Sequence, residues 1–242
     1  MTFNSAQEKH AYVNQMFARI AHRYDRMNRL MTAGQDQRWR KLLIQQAKLP
    51  QHGRLLDLAT GTGDIAFEAL QQRPDLVQVI GADFTLPMMQ VGQQRADKLE
   101  PVVSQKMIWS GADALHLPFP DNQFDAVVSG FLMRNVVDIR QALTEQVRVC
   151  KPGGRVVILE IPRPAETVLG RLFRLYFHNV VPVLGGLITG QGDAYSYLPS
   201  SADAFLRPEE LQAEMEEVGL DQVGYTKLML NTVALHVGIK CV

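Results

Sequence analysis

The stretch that decides the fold reads Arg54-Leu55-Leu56-Asp57-Leu58-Ala59-Thr60-Gly61-Thr62-Gly63-Asp64. Apolar residues with one acid among them lead into a turn that carries two glycines, and a helical pattern begins at Ile65. A buried parallel strand, a tight loop and a helix start follow one another where α/β proteins hold nucleotide-like cofactors. Asp83 ends a second apolar run about twenty residues after the loop, the usual place for an acid that binds a ribose. The stretch therefore predicts a ligand site at this loop.

Strands and helices alternate from this stretch onward. The predicted strands are Leu55–Leu58, Val77–Ala82, Lys106–Ser110, Phe124–Ser129 and Arg155–Glu160, with a helix over Ile139–Val149 and a turn at 151–154 before the last. Such alternation is the signature of a doubly wound parallel sheet. A helix over Pro208–Val218 follows, and then two tightly connected candidate strands, Gln222–Leu228 and Thr232–Lys240, which predict an antiparallel edge. The predicted fold is α/β and Rossmann-like, with a mostly parallel seven-stranded sheet that has an antiparallel edge strand.

Two segments stand outside the alternation. Residues 1–50 predict an N-terminal helical cap, whose helix over 6–34 is either an amphipathic cover or a lid over the ligand site. Residues 162–205 form a helical and loop insertion with a wide apolar surface. Because no repeat or low-complexity linker splits the chain, we predict a single domain over residues 1–242.

Composition narrows the class of protein. Hydrophobic residues make up 46% of the 242 residues and charged residues 21%, as in ordinary soluble globular proteins. The formal net charge is +0 without long runs of like charge, which argues against a nucleic-acid partner. Cys150 and Cys241 are far apart and form no CxxC pair, so the sequence predicts no metal site and no disulfide framework.

The apolar pattern gives an expectation for localisation. Residues 1–9 are polar and lack the apolar core of a secretion signal. The longest apolar region, residues 168–189, is interrupted by Arg171, Arg174 and Pro182, so it does not predict a membrane span. We expect a cytoplasmic protein.

Charge around the glycine loop points to the ligand. A glycine loop alone is a weak signal, because nicotinamide and flavin enzymes use one and a tight turn without a ligand also fits. Asp57 ends the first strand and Asp64 opens the helix, so two carboxylates flank the loop and would repel a pyrophosphate. They would favour a ligand that has an ammonium and a sulfonium group and no phosphate, and S-adenosylmethionine is such a ligand.

Further acids fit the same cofactor. Asp83 can accept hydrogen bonds from both ribose hydroxyls, and Asp113-Ala114 can offer a carboxylate and a backbone N–H to adenine. Each acid has another interpretation, since Asp83 can cap the next helix and Asp113 can serve to shape a turn. Together with the glycine loop, in this order, they predict a class I S-adenosylmethionine-dependent methyltransferase.

Several segments carry a resemblance to a known family. They are Phe17–Asn28, Trp39-Arg40, Asp57–Asp64, Arg134-Asn135-Val136 and Ala194–Ser201. With these segments the chain resembles, over nearly its whole length, the UbiE/MenG quinone C-methyltransferases of menaquinone and ubiquinone biosynthesis. The resemblance implies that Thr62, Asp83 and the Asp113-Ala114 pair contact S-adenosylmethionine. The predicted cofactor site comprises Asp57, Gly61, Thr62, Gly63, Asp83, Phe84, Asp113, Ala114 and Gly130.

The chain departs from the family pattern at the end of the fourth strand. Gly130 replaces the usual serine, so a side-chain contact there is lost. Leu132 replaces a glycine and adds bulk beside the expected acceptor pocket. These departures affect the prediction of which ring substituents the acceptor carries more than the prediction of the reaction.

The resemblance implies methylation of a ring carbon of a prenylated quinol, from demethylmenaquinol to menaquinol, and leaves open whether the ubiquinone-pathway benzoquinol is also an acceptor. Arg134 would stabilise the quinolate, because arginine stays protonated, and Asn135 would orient the acceptor. An ordinary surface ion pair is the other interpretation of Arg134. The candidates for the proton acceptor are His178, Asp193, Tyr195, Tyr24 and a water held by Arg134. A lone histidine on an apolar helix, such as His178, is more often structural.

Such an acceptor would give the insertion at 162–205 a role. A polyprenyl tail needs an apolar channel, which could be lined by Leu172, Phe173, Tyr176, Phe177, Val181, Leu184 and Leu187. Arg171 and Arg174 would face anionic headgroups in a peripheral contact with the cytoplasmic membrane. Packing of the helix on the core or on another subunit fits its apolar stripe equally well, and the oligomeric state is open.

Other functions are open on the residues alone. O- or N-methylation of another small molecule would use the same cofactor site. A nicotinamide-dependent oxidoreductase is disfavoured by the flanking acids. A binding module would bind S-adenosylmethionine without turnover. A nucleic-acid methyltransferase is disfavoured because the fourth strand ends in Ser129-Gly130-Phe131-Leu132 instead of an Asn/Asp-Pro-Pro-aromatic turn.

Overall fold

The structure, a computed structural model, describes residue 3 and residues 5–241. The helices are α1 (Ala6–Met31), α2 (Gln35–Ala47), α3 (Asp64–Gln72), α4 (Leu86–Ala96), α5 (Pro101–Ser104), α6 (Ile139–Val149), α7 (Val168–Leu175), α8 (Val181–Thr189), α9 (Gly192–Asp203) and α10 (Pro208–Glu217), with a π-helical turn at Tyr176–Val180. The strands are β1 (Arg54–Leu58), β2 (Gln78–Asp83), β3 (Met107–Gly111), β4 (Phe124–Gly130), β5 (Cys150–Glu160), β6 (Leu220–Leu228) and β7 (Val233–Lys240).

Parts of three predictions lie outside the described residues. The predicted domain of 1–242, its cap of 1–50 and the polar stretch of 1–9 each include residues at positions 1, 2 and 4, and the domain also includes residue 242. The single-domain organisation stays a prediction.

Across the described residues the strands form a seven-stranded sheet in the order β3-β2-β1-β4-β5-β7-β6. Strands β1 to β5 pair in parallel, whereas β7 is antiparallel to both β5 and β6. The predicted Rossmann-like α/β fold with an antiparallel edge is therefore confirmed. The antiparallel strand itself, β7, lies second from the edge, and β6 pairs on its outer side.

The predicted turn at 151–154 lies inside β5 as a bulge. Phe124 pairs with Cys150 and Ala126 with Arg155, so the intervening residues of β5 leave the ladder. Gly153 bends the chain there with a φ of 75°, which glycine adopts without strain. Helix α6 has the predicted bounds, and the other predicted strands differ from the observed ones by one or two residues at their ends.

Apolar side chains fill a core on each face of the sheet, because successive residues of a strand point to opposite faces. On one face Leu56 and Val127 share a buried cluster with α6 and α10. On the other face Leu55 and Val128 share a buried cluster with α2 and α3. These layers hold the carboxyl ends of β1 and β4 in place.

A third apolar cluster joins α1 to the insertion at 162–205. Val13 and Ile20 of α1 are buried together with Phe177 and Tyr195 of the insertion. Helix α1 begins where the Ser5 hydroxyl oxygen accepts the Glu8 N–H at 3.1 Å. Within residues 3 and 5–241, every helix is too short or too polar to span a membrane.

Candidate functional site

The candidate site lies at the carboxyl ends of β1 and β4, where the strand order reverses. The residue after each strand has a left-handed backbone, with a φ of 57° at Ala59 and 61° at Phe131. This conformation costs an L residue roughly 1–2 kcal/mol, and such strain clusters at functional sites. Both residues line a cleft that α1 covers with Val13, Phe17 and Tyr24.

Asp83 at the end of β2 holds the glycine loop. Its Oδ2 accepts the Gly61 N–H at 2.8 Å, and its Oδ1 accepts the Thr85 N–H at 2.7 Å at the start of α4. Burial raises the pKa of Asp83, against the opposing effect of these hydrogen bonds. Each carboxylate oxygen retains a second lone pair, and Asp83 lines the cleft. Helix capping and ribose binding are therefore compatible at this residue.

Asp57 and Gly63 support the loop from its buried side. Asp57 Oδ2 accepts the Thr60 hydroxyl at 2.7 Å and the Ala66 N–H at 3.1 Å, while its Oδ1 has no hydrogen-bond partner among the described residues. Burial raises the pKa of Asp57 to about 7. Gly63 has a φ of 86°, and a Cβ there would lie 2.7 Å from the Trp109 ring. Both residues therefore shape the loop on which a ligand would lie.

Two arginines compensate the carboxylate of Asp64. Arg95 lies 2.5 Å from it and Arg40 lies 2.9 Å from it. Asp64 flanks the loop as expected, but these arginines offset the negative charge that was expected to repel a pyrophosphate. Arg95 also lies 2.8 Å from Asp25 of α1, which accepts the Thr62 hydroxyl at 2.7 Å. The network therefore ties α1 to the glycine loop.

A recess beside the cleft contains the predicted adenine-binding residues. Asp113 and Ala114 line it together with Phe84, which lines the cleft as well. His10 of α1 packs against the Phe84 ring, with 4.8 Å between the ring centroids. Asp113 Oδ1 accepts the Leu115 N–H at 2.9 Å, so this acid shapes a turn at the recess. Both interpretations of Asp113 fit its position.

The cleft and the recess together fit S-adenosylmethionine. The predicted cofactor residues that line the cleft are Gly61, Thr62, Asp83, Phe84 and Gly130, and those that line the recess are Phe84, Asp113 and Ala114. The carboxylates of Asp25 and Asp83 border the cleft, which suits a ligand with positive charge. The contact of each residue with the cofactor stays a prediction.

A second, mostly apolar cavity lies beside the cleft. Tyr24 and Phe131 line both spaces and so form the boundary between them. Burial raises the pKa of Tyr24. The residues of the predicted channel that line the cavity are Phe173, Tyr176, Phe177 and Val181. Leu172 and Leu187 are exposed instead, and Leu184 is half-buried.

Arg134 and Glu160 form a buried ion pair at this cavity. Glu160 ends β5 and also accepts the backbone N–H groups of Arg134 at 3.2 Å and of Ile161 at 2.8 Å. The guanidinium packs over Phe131 at 5.4 Å from the ring centroid, and Arg134 Nε has no hydrogen-bond partner among the described residues. Arg134 is thus paired, as one interpretation had it, but the pair is buried instead of lying on the surface. Sequence reasoning missed Glu160, although an acid at the end of an apolar strand was the available signal.

The other predicted catalytic residues lie in different places. Asn135 lines the cleft, donates to the Phe131 carbonyl at 2.9 Å and accepts the Tyr197 hydroxyl at 3.2 Å. His178 is exposed on the insertion and lies 2.7 Å from Asp203, so the structure does not bring it to the described walls of either cavity. The roles of both residues stay predictions.

Gly130 and Leu132, the two departures from the family pattern, both line the cleft that would hold the cofactor. A Cβ on Gly130 would lie 2.7 Å from Ile65 Cδ1, so Ile65 occupies the space that a side chain at position 130 would need. Leu132 is buried and lines the cleft and the recess. Its added bulk therefore lies beside the expected cofactor.

Asp36, in the first turn of α2, is a buried acid that sequence reasoning missed. It is 2% exposed and lines the apolar cavity. Its Oδ2 accepts from Arg40 at 2.5 Å, and its Oδ1 accepts the Thr32 hydroxyl at 3.0 Å. Arg40 lines the cleft, so the pair spans the boundary between the two spaces. In the sequence such an acid looks like an ordinary charge at a helix N-terminus.

Comparison with known proteins adds family evidence. The model of the ubiE/COQ5 methyltransferase family matches residues 5–240. A demethylmenaquinone methyltransferase from Thermus thermophilus is 45% identical over 223 residues, which cover 92% of this chain and 99% of that protein. The ubiquinone/menaquinone biosynthesis C-methyltransferase UbiE of Desulfotalea psychrophila is 43% identical over 229 residues, which cover 94% of this chain and 90% of that protein.

Solved structures share the fold. A putative methyltransferase from Haloferax volcanii, solved with the Trm112 activator, has a TM-score of 0.67 at 16% identity and covers 93% of this chain and 98% of its own. Phosphoethanolamine N-methyltransferase 2 of Haemonchus contortus, solved with S-adenosyl-L-methionine, has a TM-score of 0.61 at 15% identity, covering 85% of this chain and 53% of its own. At these identities the likeness shows the fold alone.

Proposed function

Because this chain belongs to the ubiE/COQ5 methyltransferase family and is an S-adenosylmethionine-dependent methyltransferase, we propose that it methylates a ring carbon of a prenylated quinol. Relatives named demethylmenaquinone methyltransferase and ubiquinone/menaquinone biosynthesis C-methyltransferase support a quinone acceptor. The acceptor would be a demethylated naphthoquinol or benzoquinol.

The contact between the two cavities is the observation that carries the proposal. The cleft and its recess offer carboxylates and backbone groups, whereas the second cavity offers mostly apolar side chains. Tyr24 and Phe131 border both spaces, so a cofactor in one and a flat ring in the other would face each other beside these side chains. A small polar acceptor would leave most of the apolar cavity without a partner, which favours a lipid-like quinol.

Arg134 is proposed to bind an acceptor oxygen. A free phenol titrates near pH ~10, so the site must stabilise the quinolate that makes the ring carbon nucleophilic. Arg134 lines the apolar cavity, and Glu160 holds its guanidinium in one orientation. Glu160 also shares the charge of Arg134, so we expect the acceptor oxygen to be oriented by a hydrogen bond as well as attracted by charge.

The hydroxyl proton is proposed to pass to a water beside Arg134 and from that water to bulk solvent. Asp193 is paired with Arg19 at 2.5 Å and His178 with Asp203, both on the outside of the insertion. Tyr24 lies between the two cavities, but its raised pKa keeps its hydroxyl protonated and makes it a hydrogen-bond donor. Tyr24 is therefore assigned to aligning the acceptor ring.

In the methyl transfer, the residues of the chain mainly position the cofactor and the acceptor and take little part in proton transfer. S-adenosylmethionine supplies the electrophilic methyl group when it is bound. Asp83 and the glycine loop would fix the ribose, and Tyr24 and Phe131 would hold the ring in line with the cleft. Asn135 would keep the turn after β4 in register with the insertion through Tyr197.

The insertion is proposed to contact the membrane that holds the quinol. Exposed apolar side chains are concentrated on it: Val168, Leu169, Leu172, Leu175, Val180, Val183, Leu187 and Ile188. The inner side chains of the same segment, such as Phe173 and Phe177, line the apolar cavity, so a tail could pass from lipid to the site. Arg171 is exposed beside this surface, whereas Arg174 is paired with Glu166 and Asp203.

The position of a transferred label tests the proposed reaction. The protein is incubated with methyl-labelled S-adenosylmethionine and demethylated naphthoquinol or benzoquinol analogues, each reduced and oxidised. Label on the ring carbon of a reduced acceptor is the expected result. Label on oxygen would support the alternative of an O-methyltransferase, and transfer to the oxidised quinone only would contradict the quinolate mechanism.

A further inference from the structure

Methylation of an aromatic ring carbon leaves one proton to be removed. After the new carbon–carbon bond forms, the ring carbon carries both the methyl group and its original hydrogen, and the ring is a dienone. Loss of that proton returns the carbon–hydrogen electron pair to the ring and restores aromaticity. Because this step is strongly downhill, a carboxylate is a strong enough base for it, although it is a poor base for a phenol.

The apolar cavity contains one such carboxylate that the proposed function has not used. Asp36 is 2% exposed and lies on the wall of the cavity together with Tyr24, which forms the boundary with the cleft. Its partner Arg40 lies on the cleft side at 2.5 Å. Asp36 therefore lies on the wall of the cavity that would hold the acceptor, and its ion-pair partner lies on the side of the methyl donor.

The arginines around Asp36 are shared with other carboxylates. Arg40 is shared between Asp36 and Asp64, and Arg95 is shared between Asp64 and Asp25. Three carboxylates therefore share these two arginines. Arg29 of α1 lies 3.9 Å from Asp36 and is itself exposed.

We propose that Asp36 is the carboxylate that accepts the ring proton after methyl transfer. The carbon–hydrogen bond breaks, its electron pair enters the ring, and the proton forms an O–H bond with an Asp36 oxygen. Thr32, whose hydroxyl lies 3.0 Å from Asp36 Oδ1, holds the carboxylate in orientation. The inference rests on the proposed quinol C-methylation and adds to it the residue that completes the reaction.

An isotope effect on the ring hydrogen separates this role from a structural one. Single-turnover rates of formation of the aromatic methylated product are measured for wild type, Asp36→Asn and Arg29→Gln. The acceptor carries either hydrogen or deuterium at the reacting carbon. Wild type and Arg29→Gln should react with both acceptors at equal rates, because proton loss follows a slower methyl transfer. Asp36→Asn should react ~100-fold or more slowly, and more slowly still with deuterium, because proton removal becomes limiting.

A second variant distinguishes loss of the base from misfolding of the protein. Asp36→Glu keeps the negative charge beside Arg40 and Arg29 but moves the carboxylate, so it should also show an isotope effect at a smaller loss of rate. A slower rate without an isotope effect in either folded variant, or an unchanged rate in Asp36→Asn, overturns the proposal. Calorimetric binding of S-adenosylmethionine to each variant reports whether the cofactor site is intact. The wild-type label position reports on the proposed function separately from these outcomes.

Discussion

The guanidinium of Arg134 and the carboxylate of Glu160 form an ion pair whose side chains are 4% and 1% exposed. Glu160 additionally accepts two backbone N–H groups, those of Arg134 and Ile161. A buried ion pair adds little net stability over apolar residues, but removal of one partner leaves the other charge buried alone. The pair therefore fixes the turn after β4 at the boundary of the two cavities.

We expect Glu160→Ala to destabilise the protein by ~3–5 kcal/mol, because Arg134 would stay charged in a buried place. Urea unfolding followed by circular dichroism measures the change. Glu217→Ala is the matched control, since Glu217 pairs with Arg140 on the exposed surface and its loss should change little. Equal effects of the two substitutions would contradict the assigned importance of the buried pair.

Arg134→Lys should lower kcat ~100-fold or more and leave the affinity for S-adenosylmethionine nearly unchanged. Lysine keeps a positive charge near Glu160, but it lacks the planar guanidinium fork that can hold Glu160 and an acceptor oxygen together. Turnover with a demethylated quinol and calorimetric cofactor binding are measured on the same sample. Arg140→Lys provides a control on an exposed arginine. A loss of cofactor affinity equal to the loss of kcat would place Arg134 in the cofactor site instead.

Asp83→Asn should have the opposite effect and weaken S-adenosylmethionine binding by ~10–100-fold. The substitution replaces charge-assisted hydrogen bonds to the ribose by weaker neutral ones, a total loss of about 1.4–2.7 kcal/mol, and weakens the hydrogen bond with the Gly61 N–H. Once the cofactor is saturating, kcat should recover to near the wild-type value. Asp97→Asn, an exposed acid after α4, controls for the change in net charge. Undiminished cofactor affinity in Asp83→Asn would refute the ribose assignment.

The raised pKa of Asp57 makes part of the stability depend on pH. Its pKa rises from 3.8 to about 7 on burial, so the folded protein holds this proton more tightly than the unfolded chain does. The stabilisation is fully present below pH 3.8 and is lost as pH rises to about 7, at roughly 1.4 kcal/mol per pH unit. Unfolding free energies of wild type and Asp57→Asn should therefore differ by an amount that changes between pH 5 and 7 and is flat above pH 8. A constant difference across this range would contradict the buried, protonated carboxyl.

The sequence predicted the fold well because apolar runs and turn residues specify strands locally. Helix α6 is an example, since Asp138 caps it by accepting the Gln141 N–H at 2.9 Å and a period of apolar residues continues to Val149. The site was harder to predict. An acid such as Asp36 or Glu160 looks the same in the sequence whether it is solvated at a helix start or buried against an arginine.

Two kinds of feature had no local signal at all. Ala59 and Phe131 adopt left-handed backbones that only the surrounding packing can impose, and neither is a glycine. The apolar stripe of the insertion gave its helical character but not its orientation, so Phe173 and Leu172 could not be assigned to the cavity and the surface in advance. Backbone conformation at these positions and the orientation of the helix depend on contacts between segments that are far apart in sequence.

The exposed side chains of α7 provide the test of membrane contact. Leu172 and Leu175 are 57% and 60% exposed, and burial of a leucine in an apolar phase is worth about 1.5–3 kcal/mol. Wild-type protein should therefore co-sediment with vesicles of phosphatidylcholine and phosphatidylglycerol. Leu172→Glu and Leu175→Glu should each lower the bound fraction by at least ~10-fold in partition coefficient.

Val77→Glu is the control for that experiment, because Val77 is 57% exposed just before β2 and so lies at the opposite edge of the sheet from the cleft. The substitution adds the same charge to an equally exposed apolar position, so the Val77→Glu protein should bind vesicles as wild type does. Turnover of a short-tailed, water-soluble quinol should be the same in all four proteins, because the surface serves access and not chemistry. Failure of wild type to sediment would refute membrane contact, and equal binding by the α7 variants would refute this surface as its location.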